Sequence, residues 1–522
     1  MMNSIKSFSI IATLILLAAA CIKEPTVDYT EVEQRSLKAW IEKHCDKKIL
    51  DNYQEEGGYY VDMHDFGVAD SVPISGKDVW VWYDFTARDL DGNICETRRY
   101  ENAMMLGTYT NYTRYVPAYR FSGKESTTMM EGTYLATFNK LKIGQDSVEV
   151  RYGTEMTLYL PSSVVQTTES STGGYEGQYK MDESKPMIVR IKVWGHVGNP
   201  VAYEGECVDL FAEENGGLCE EHKRVKEENE AEKSMLRRRS TRTDEEGEES
   251  VDTRPLEFFD GRWHQPIDTL EQLYVNYSYT PEQRLKFDVI GADTLKYGKS
   301  YESNEDNYTT GPIYGSSDLE QRINEALIKR FGKGISTDEV LTTDSLNTKS
   351  TADVWYIGRF LDGFIFDTNI DEVKEIIYKE VKTAGEALTF YTKNTDENKY
   401  INAWNYAIPT LRIGQWAAIL SVSTYGYGIS GQVGSYTSTT TGGNENAYYD
   451  YLNYMNYMNY MNSYYGYGYG NMYNQGYYGY NPYYYGYGYD SSTGSNDTST
   501  TITTTSTEIP AFSPLLFQIF VE

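Results

Sequence analysis

The residues of this chain that could do chemistry sit on either side of a long tyrosine-rich tract. Before it run "WYIGRFLDGFIFDTN" and "INAWNYAIPTLRIGQWAAILSVSTYGYG", and after it "IPAFSPLLFQIFVE". None of these runs contains His or Cys, the last of each being His264 and Cys219, so thiol, imidazole and zinc chemistry are excluded from them. What they offer is aromatic rings with few polar groups, the profile of a site that binds or strains its ligand. No cofactor is implied.

To bring such rings to one mouth, the flanks must form one small antiparallel sheet wrapped on one short helix, an α+β arrangement. The strand-like run "DVWYIGRFLDGFIFD" turns at Asp-Gly, and "INAWNYA" reads as the helix. The tract, taken as residues 429–508, is then an insertion and not a tail. Between 451 and 490 it holds 17 tyrosines in 40 positions, interleaved with Gly, Asn and Met. Glycine at that density costs too much backbone entropy for a packed core while the phenol rings stay adhesive, so a mobile flap is expected.

The pattern occurs twice. "TEVEQRSLKAWIEK" and "SSDLEQRINEALIKRFG" have helical spacing, and each is followed by a strand ending in an Asp-Gly turn. "LKIGQDSVEVRYGTEMTLYLPS" corresponds to "LRIGQWAAILSVS", and "PMIVRIKVW" to "PLLFQIFVE". Four correspondences in one order indicate an internal duplication of a helix plus a sheet domain. At 522 residues a prior of roughly 100 to 200 residues per domain allows two to four units. The division expected is a signal peptide 1–20, a tether and helix 21–71, a first domain 72–200, a charged linker 201–255 and a second domain 316–522. Residues 256–315 contain strand-like pieces that could extend the first sheet or form a small middle domain. The linker reading rests on "EEHKRVKEENEAEKSMLRRRSTRTDEEGEESVDTRP", too poor in apolar residues to fold alone.

In the second copy these motifs, in this order, resemble the FKBP-type peptidyl-prolyl isomerases. "VWYIGRFLDGFIFD" is similar to that family's strand, turn and Phe-Asp pair, and "YINAWNYAIPTLRIGQ" to its helix. The resemblance implies two FKBP-like domains and an aromatic pocket for a prolyl ring. Tyr356, Phe366, Trp404 and Phe517 would hold the ring, with Ile509 completing the walls. The Tyr427 hydroxyl and the Ile401 amide would hold client carbonyls, and Asp367 would orient donors or polarise the twisted amide. Clients would be proline-containing polypeptides. The alternative is a non-catalytic FKBP-like surface protein that binds protein or glycan partners. Departures from the family pattern are Ala403 for Gly, Tyr400 for a small aliphatic residue, and Leu388 or Phe390 as the remaining wall. The first copy has Phe85, Cys95, Glu96 and Tyr134 at the pocket positions, which implies a fold kept without its active site.

The N-terminus reads as an address. Lys6 precedes an apolar run from Phe8 to Leu17, then Ala18, Ala19, Ala20 and Cys21, too short for a membrane span. It resembles a bacterial lipoprotein signal with Cys21 as the lipidated residue, and Lys23 and Glu24 resemble export signals of surface lipoproteins in Bacteroidetes. An ordinary secreted protein is the alternative. Lipidation would anchor the protein to the outer membrane, on its periplasmic or outer face, where an outer-membrane protein complex is a candidate partner. A net charge of -29 repels phosphate backbones, so nucleic acid is not an expected partner. In an exported protein Cys207 and Cys219 are expected as a disulfide or as free thiols in preference to a metal site, since no CxxC pair exists.

Overall fold

Strands of alternating character build two sheets, and the two follow the same plan. The computed structural model describes residues 29–74, 79–97, 99–107, 109–115, 118–121, 130–165, 185–219, 256–267, 270–287, 313–314, 318–335, 339, 346, 349–379, 381, 383–393, 398–428, 431–432, 436–441, 499–504 and 507–522. The signal segment, Cys21, the charged residues 220–255 and the tract 442–498 lie outside them.

The first unit comprises α1 (Tyr29–His44), β1 (Tyr53–Gln54), β2 (Tyr59–Phe66), β3 (Trp80–Arg88), β4 (Ile94–Thr97), α2 (Tyr100–Met105), β5 (Ala118–Phe121), α3 (Glu131–Phe138), the small hairpin β6 (Leu141–Ile143) and β7 (Asp146–Val148), β8 (Thr154–Leu160) and β9 (Met187–Val197). Its sheet runs β1-β2-β8-β9-β3-β4, with β5 also paired to β3. After α4 (Pro200–Glu214) comes the second unit: β10 (Leu273–Asn276), α5 (Leu319–Phe331), β11 (Thr351–Phe360), β12 (Ile365–Thr368), α6 (Asp371–Tyr378), β13 (Leu388–Tyr391), α7 (Asn402–Ala407), β14 (Trp416–Ser421), β15 (Tyr436–Thr441), β16 (Ser499–Thr504) and β17 (Leu515–Val521). Its sheet runs β10-β14-β17-β11-β12, with β13 on β11, so the order matches that of the first sheet strand for strand from β2 onward. Both sheets are antiparallel throughout. The fold class is α+β, two antiparallel sheets each wrapped on a short helix.

Side chains on a strand alternate between faces, and each sheet uses both. On the inner faces, Leu135 and Ala136 of α3 pack against Val61, Tyr83 and Leu158, while Ala403, Trp404 and Ala407 of α7 pack against Val354, Ile419 and Phe517. On the outer faces, Leu37 and Ile41 of α1 cover Tyr60 and Tyr159, and Leu319, Ile323 and Leu327 of α5 cover Trp355 and Ile357. Strands β14 and β17 are therefore buried along their whole length, which explains their nearly unbroken apolar sequences.

Two expectations change. Residues 200–214 are a helix and not linker: Asn199 Oδ1 caps it by accepting from Ala202 N at 3.2 Å, Pro200 opens it, and Tyr203, Cys207, Val208 and Phe211 are buried. Within 256–315, the strand β10 does not extend the first sheet, because it pairs with β14 at the edge of the second sheet, Val275 opposite Ile419. Of the two forms expected for Cys207 and Cys219, disulfide or thiols, the structure has thiols. Cys207 lies inside the core, where burial pushes its thiol up to about 12.

The two units share that core. One buried cluster runs from Trp82, Trp194 and Phe211 through Trp263 to Trp355, Leu420 and Phe520. The insertion leaves and returns as a two-stranded ladder, from Tyr436 opposite Thr504 to Thr441 opposite Ser499.

Candidate functional site

Alternation along β11 puts Tyr356, Gly358 and Phe360 toward α7 and Trp355, Ile357 and Arg359 toward α5. The chain reverses after Phe360: Gly363 takes φ +89, a left-handed conformation natural to glycine, and Asp362 Oδ1 accepts from the Phe364 amide at 3.1 Å. On return, Asp367 sits opposite Gly358 but Ile365 opposite Arg359, a β-bulge with Phe366 as the extra residue. The bulge lets two consecutive side chains serve one site. Phe366 meets Phe517 edge-on with centroids 5.8 Å apart, and Asp367 Oδ2 accepts from the Tyr356 hydroxyl at 2.5 Å.

Trp404 lies in the first turn of α7, whose N-cap is Ile401. Its indole meets Tyr356 at 5.0 Å and 73° and Phe517 at 5.3 Å and 83°, edge-to-face geometries that aromatic rings favour. Gly358 makes this convergence possible, because a Cβ there would stand 2.6 Å from Phe366 Cζ and 3.1 Å from Phe517 Cε1. The structure thus brings Tyr356, Phe366, Asp367, Trp404 and Phe517 together. Ile401 and Ile509 are buried in the same cluster, and Tyr427 packs at its edge. Phe390, fully buried, stacks on Tyr400 at 6.0 Å, while Leu388 stays half-buried beside it on β13. Cys21, the expected lipidation residue, lies outside the described residues.

The floor is nearly sealed, with Phe517 2%, Trp404 4% and Phe366 5% exposed, and solvent meets the site at Asp367 on the rim. Among the described residues nothing hydrogen-bonds the buried Trp404 Nε1. Burial, then the Asp367 charge, holds the Tyr356 phenol well above its ordinary range, so it donates as a neutral hydroxyl. Enclosure by the surrounding chain pushes the Asp367 carboxyl up, against lowering by the Tyr356 hydroxyl, the Thr368 amide and Lys374. Because that side chain reaches solvent at the rim, screening keeps the effect small.

Several residues that fix this geometry escaped the sequence reading. Thr368 Oγ1 donates to the Tyr356 carbonyl at 2.7 Å, and Asn369 Oδ1 accepts from the Tyr356 amide at 2.8 Å. Asn369 Nδ2 also donates to Val354 O and Glu386 O, both at 3.0 Å. The signal was present, since "TN" directly after "FD" is a pair whose short polar side chains bond nearby backbone. Arg359 is fully buried behind the site. It makes a two-point pair with Glu320 at 2.8 and 3.0 Å and donates to Gln518 Oε1 at 2.7 Å and Gly363 O at 3.1 Å.

The first unit repeats the frame without the chemistry. Its β3–β4 pair has the same bulge, with Glu96 opposite Ala87 and Ile94 opposite Arg88, so Phe85 takes the place of Tyr356 and has no hydroxyl to offer a carboxylate. Counted from the helix cap at Met130, Thr133 stands where Trp404 does, and Tyr134 is its equivalent only when counted back from the Gly-Gln turn. Neither is an indole.

No protein-family model and no curated protein sequence matches the chain. Solved structures similar to it include a peptidyl-prolyl cis-trans isomerase from Pseudomonas syringae pv. tomato at 15% identity and TM-score 0.14, covering 33% of this chain and 59% of that one. The three FKBP domains of wheat FKBP73 align at 9% identity and TM-score 0.18, over 90% of this chain and 94% of that one. FkpA from Escherichia coli aligns at 12% identity and TM-score 0.20, over 37% and 70%. Scores this low carry no argument about activity.

Proposed function

We propose that the second unit is a peptidyl-prolyl cis-trans isomerase of the FKBP type that assists the folding of exported or envelope proteins. The observation that carries this reading is the Tyr356–Asp367 hydrogen bond at the rim of an aromatic floor made by Trp404, Tyr356 and Phe517. Prolyl isomerisation must cross a barrier of about 18–20 kcal/mol set by amide resonance, and no covalent bond breaks. Rotation reduces the charge separation that water stabilises in the planar amide, so an apolar enclosure favours the twisted form. The floor takes the pyrrolidine ring. The Ile401 amide and the Tyr427 hydroxyl hold client carbonyls, and Asp367, steadied by Tyr356, orients donors around the twisting group. This is selective stabilisation of the transition state without acid or base. Lipidation of Cys21 would place the enzyme at the outer membrane, within reach of chains emerging into the envelope.

A protease-coupled assay of prolyl isomerisation on the full chain tests this, with Trp404→Leu and Tyr427→Phe beside the wild type. Catalysis by the wild type, lost in the first variant and weakened in the second, supports it. Absence of catalysis in the wild type favours a second reading, a non-catalytic FKBP-like protein that binds protein or glycan partners, for which the near-complete burial of Phe366, Trp404 and Phe517 already speaks.

A further inference from the structure

The first unit, read from sequence as a silent copy, reaches across to the second. Its loop 109–115 is braced internally by the Tyr109 hydroxyl on Asn111 Oδ1 at 2.5 Å and by Tyr109 stacked on Tyr115 at 5.5 Å. From that base it touches three pieces of the second unit. At the turn between β11 and β12, Arg114 contacts Asp362 Oδ2 through Nε at 2.8 Å and through Nη2 at 2.6 Å, and lies 4.3 Å over the Phe360 ring. At the end of α6, Asn111 Nδ2 donates to Ile377 O at 2.7 Å, and the Tyr112 ring lies flat on Tyr378, 4.0 Å away and 9° from parallel. On the segment returning from the insertion, Thr507 Oγ1 donates to Tyr112 O at 2.7 Å.

Each contact lies next to a wall of the candidate pocket. Phe360 packs 5.2 Å from Phe366. Tyr378 closes α6, the helix that begins at Asp371, four residues after Asp367. Thr507 lies two residues before Ile509. Such a loop does more than glue two units together, because a docking contact has no need to converge on the parts of its neighbour that shape one site.

We propose that loop 109–115 is a wall of the second unit's site and that Tyr112, stacked on Tyr378 at the end of α6, is a specificity-determining residue for the side chains that flank the client proline. This rests on the isomerase reading of that site. The Tyr112–Tyr378 pair is a flat ledge supplied half by each copy, so the duplicated unit has been kept as part of the neighbour's binding surface. Arg114 and Lys374 are engaged by Asp362 and Asp371, which leaves the ledge to select by shape and apolar contact.

The test measures kcat/KM and the Kd of full-length wild type, Tyr112→Ala and Tyr112→Phe on a panel of short peptides with Ala, Leu, Phe or Glu before proline. Unfolding midpoints of each variant confirm that the fold is kept. Aromatic pair contacts are worth roughly two- to tenfold in an equilibrium. Tyr112→Ala should change the ratio between the Phe and Ala peptides by about that factor, mainly through KM and Kd, and Tyr112→Phe should keep the wild-type ratio. A uniform rise across the panel would mean the loop merely obstructs the site, and a uniform fall or an unchanged ratio would mean it merely docks; each overturns the proposal. If the wild type binds the peptides without catalysis, the Kd ratios decide the same question. If it neither binds nor isomerises any peptide, the isomerase reading itself fails and the ledge with it.

Discussion

At the scale of single residues, the site depends on close approaches that only small or polar side chains permit. Gly358 is the clearest case. Gly358→Ala would push a methyl group into Phe366 and Phe517, an overpacking that typically costs 1–3 kcal/mol. We expect a lower urea midpoint together with a changed Trp404 fluorescence, since Phe517 is the ring beside the indole. An unchanged emission spectrum would show that the rings move without disturbing the floor. The aromatic positions were legible in the sequence because their order along the chain repeats a known pattern, and the resemblance named Tyr356, Phe366, Asp367, Trp404 and Phe517. Thr368 and Asn369 were not, because their work is done on the backbone of another strand and becomes visible only once β11 and β12 are paired.

At the scale of elements, the outer face of the second sheet explains why this unit needs α5. Arg359 is a buried charge held between α5, β17 and the β11–β12 turn. Its equivalent in the first sheet, Arg88, is partly exposed, and among the described residues its side chain donates to Gly92 O at 3.2 Å. Removing one partner of a buried pair leaves an uncompensated charge and typically costs 3–5 kcal/mol. Because Glu320 is one-third exposed, Glu320→Gln should fall at or below the lower end of that range, about 2–3 kcal/mol by equilibrium unfolding. A loss under about 0.5 kcal/mol would show that Gln518 and Gly363 alone satisfy Arg359. Helical periodicity revealed α5 as an amphipathic helix but could not reveal its partner. The 256–315 segment remained ambiguous for a similar reason, since a four-residue strand gives no hint of which sheet edge it will join.

At the scale of the whole molecule, the charged stretch hid a structural helix. Charge dominates residues 220–255, yet the helix just before them carries Glu204, which is buried against the second unit and accepts from Ser423 N at 2.9 Å and Ser423 Oγ at 2.8 Å. Ser423 opens the short turn that leads to Tyr427, and the Gly428 amide donates back to Ser423 O at 2.7 Å. Burial, partly offset by the two Ser423 bonds, raises the Glu204 carboxyl from its ordinary 4.5 to about 7. An acid that holds its proton more tightly in the folded state adds stability that is fully present below pH 4.5 and is lost as the pH rises through about 7. The loss should be on the order of 1–3 kcal/mol. Glu204→Gln removes the charge and can still bond both groups, its Oε1 accepting from Ser423 N and its Nε2 donating to Ser423 Oγ, so wild-type stability relative to this variant should drop between about pH 5 and pH 8 by that amount. A constant difference across the interval would show that Glu204 stays ionised in the fold. Such coupling between units was invisible in the linear chain, where Glu204 and Ser423 stand 219 residues apart.

If the aromatic floor beneath Tyr356 and Asp367 turns a prolyl bond, NMR exchange spectroscopy on a short proline peptide will show it. With catalytic amounts of the full chain, cis and trans resonances should show exchange cross-peaks that vanish with Trp404→Leu and persist when residues 442–498 are deleted. Exchange no faster than in the peptide alone, for the intact chain and for the deletion alike, would contradict it.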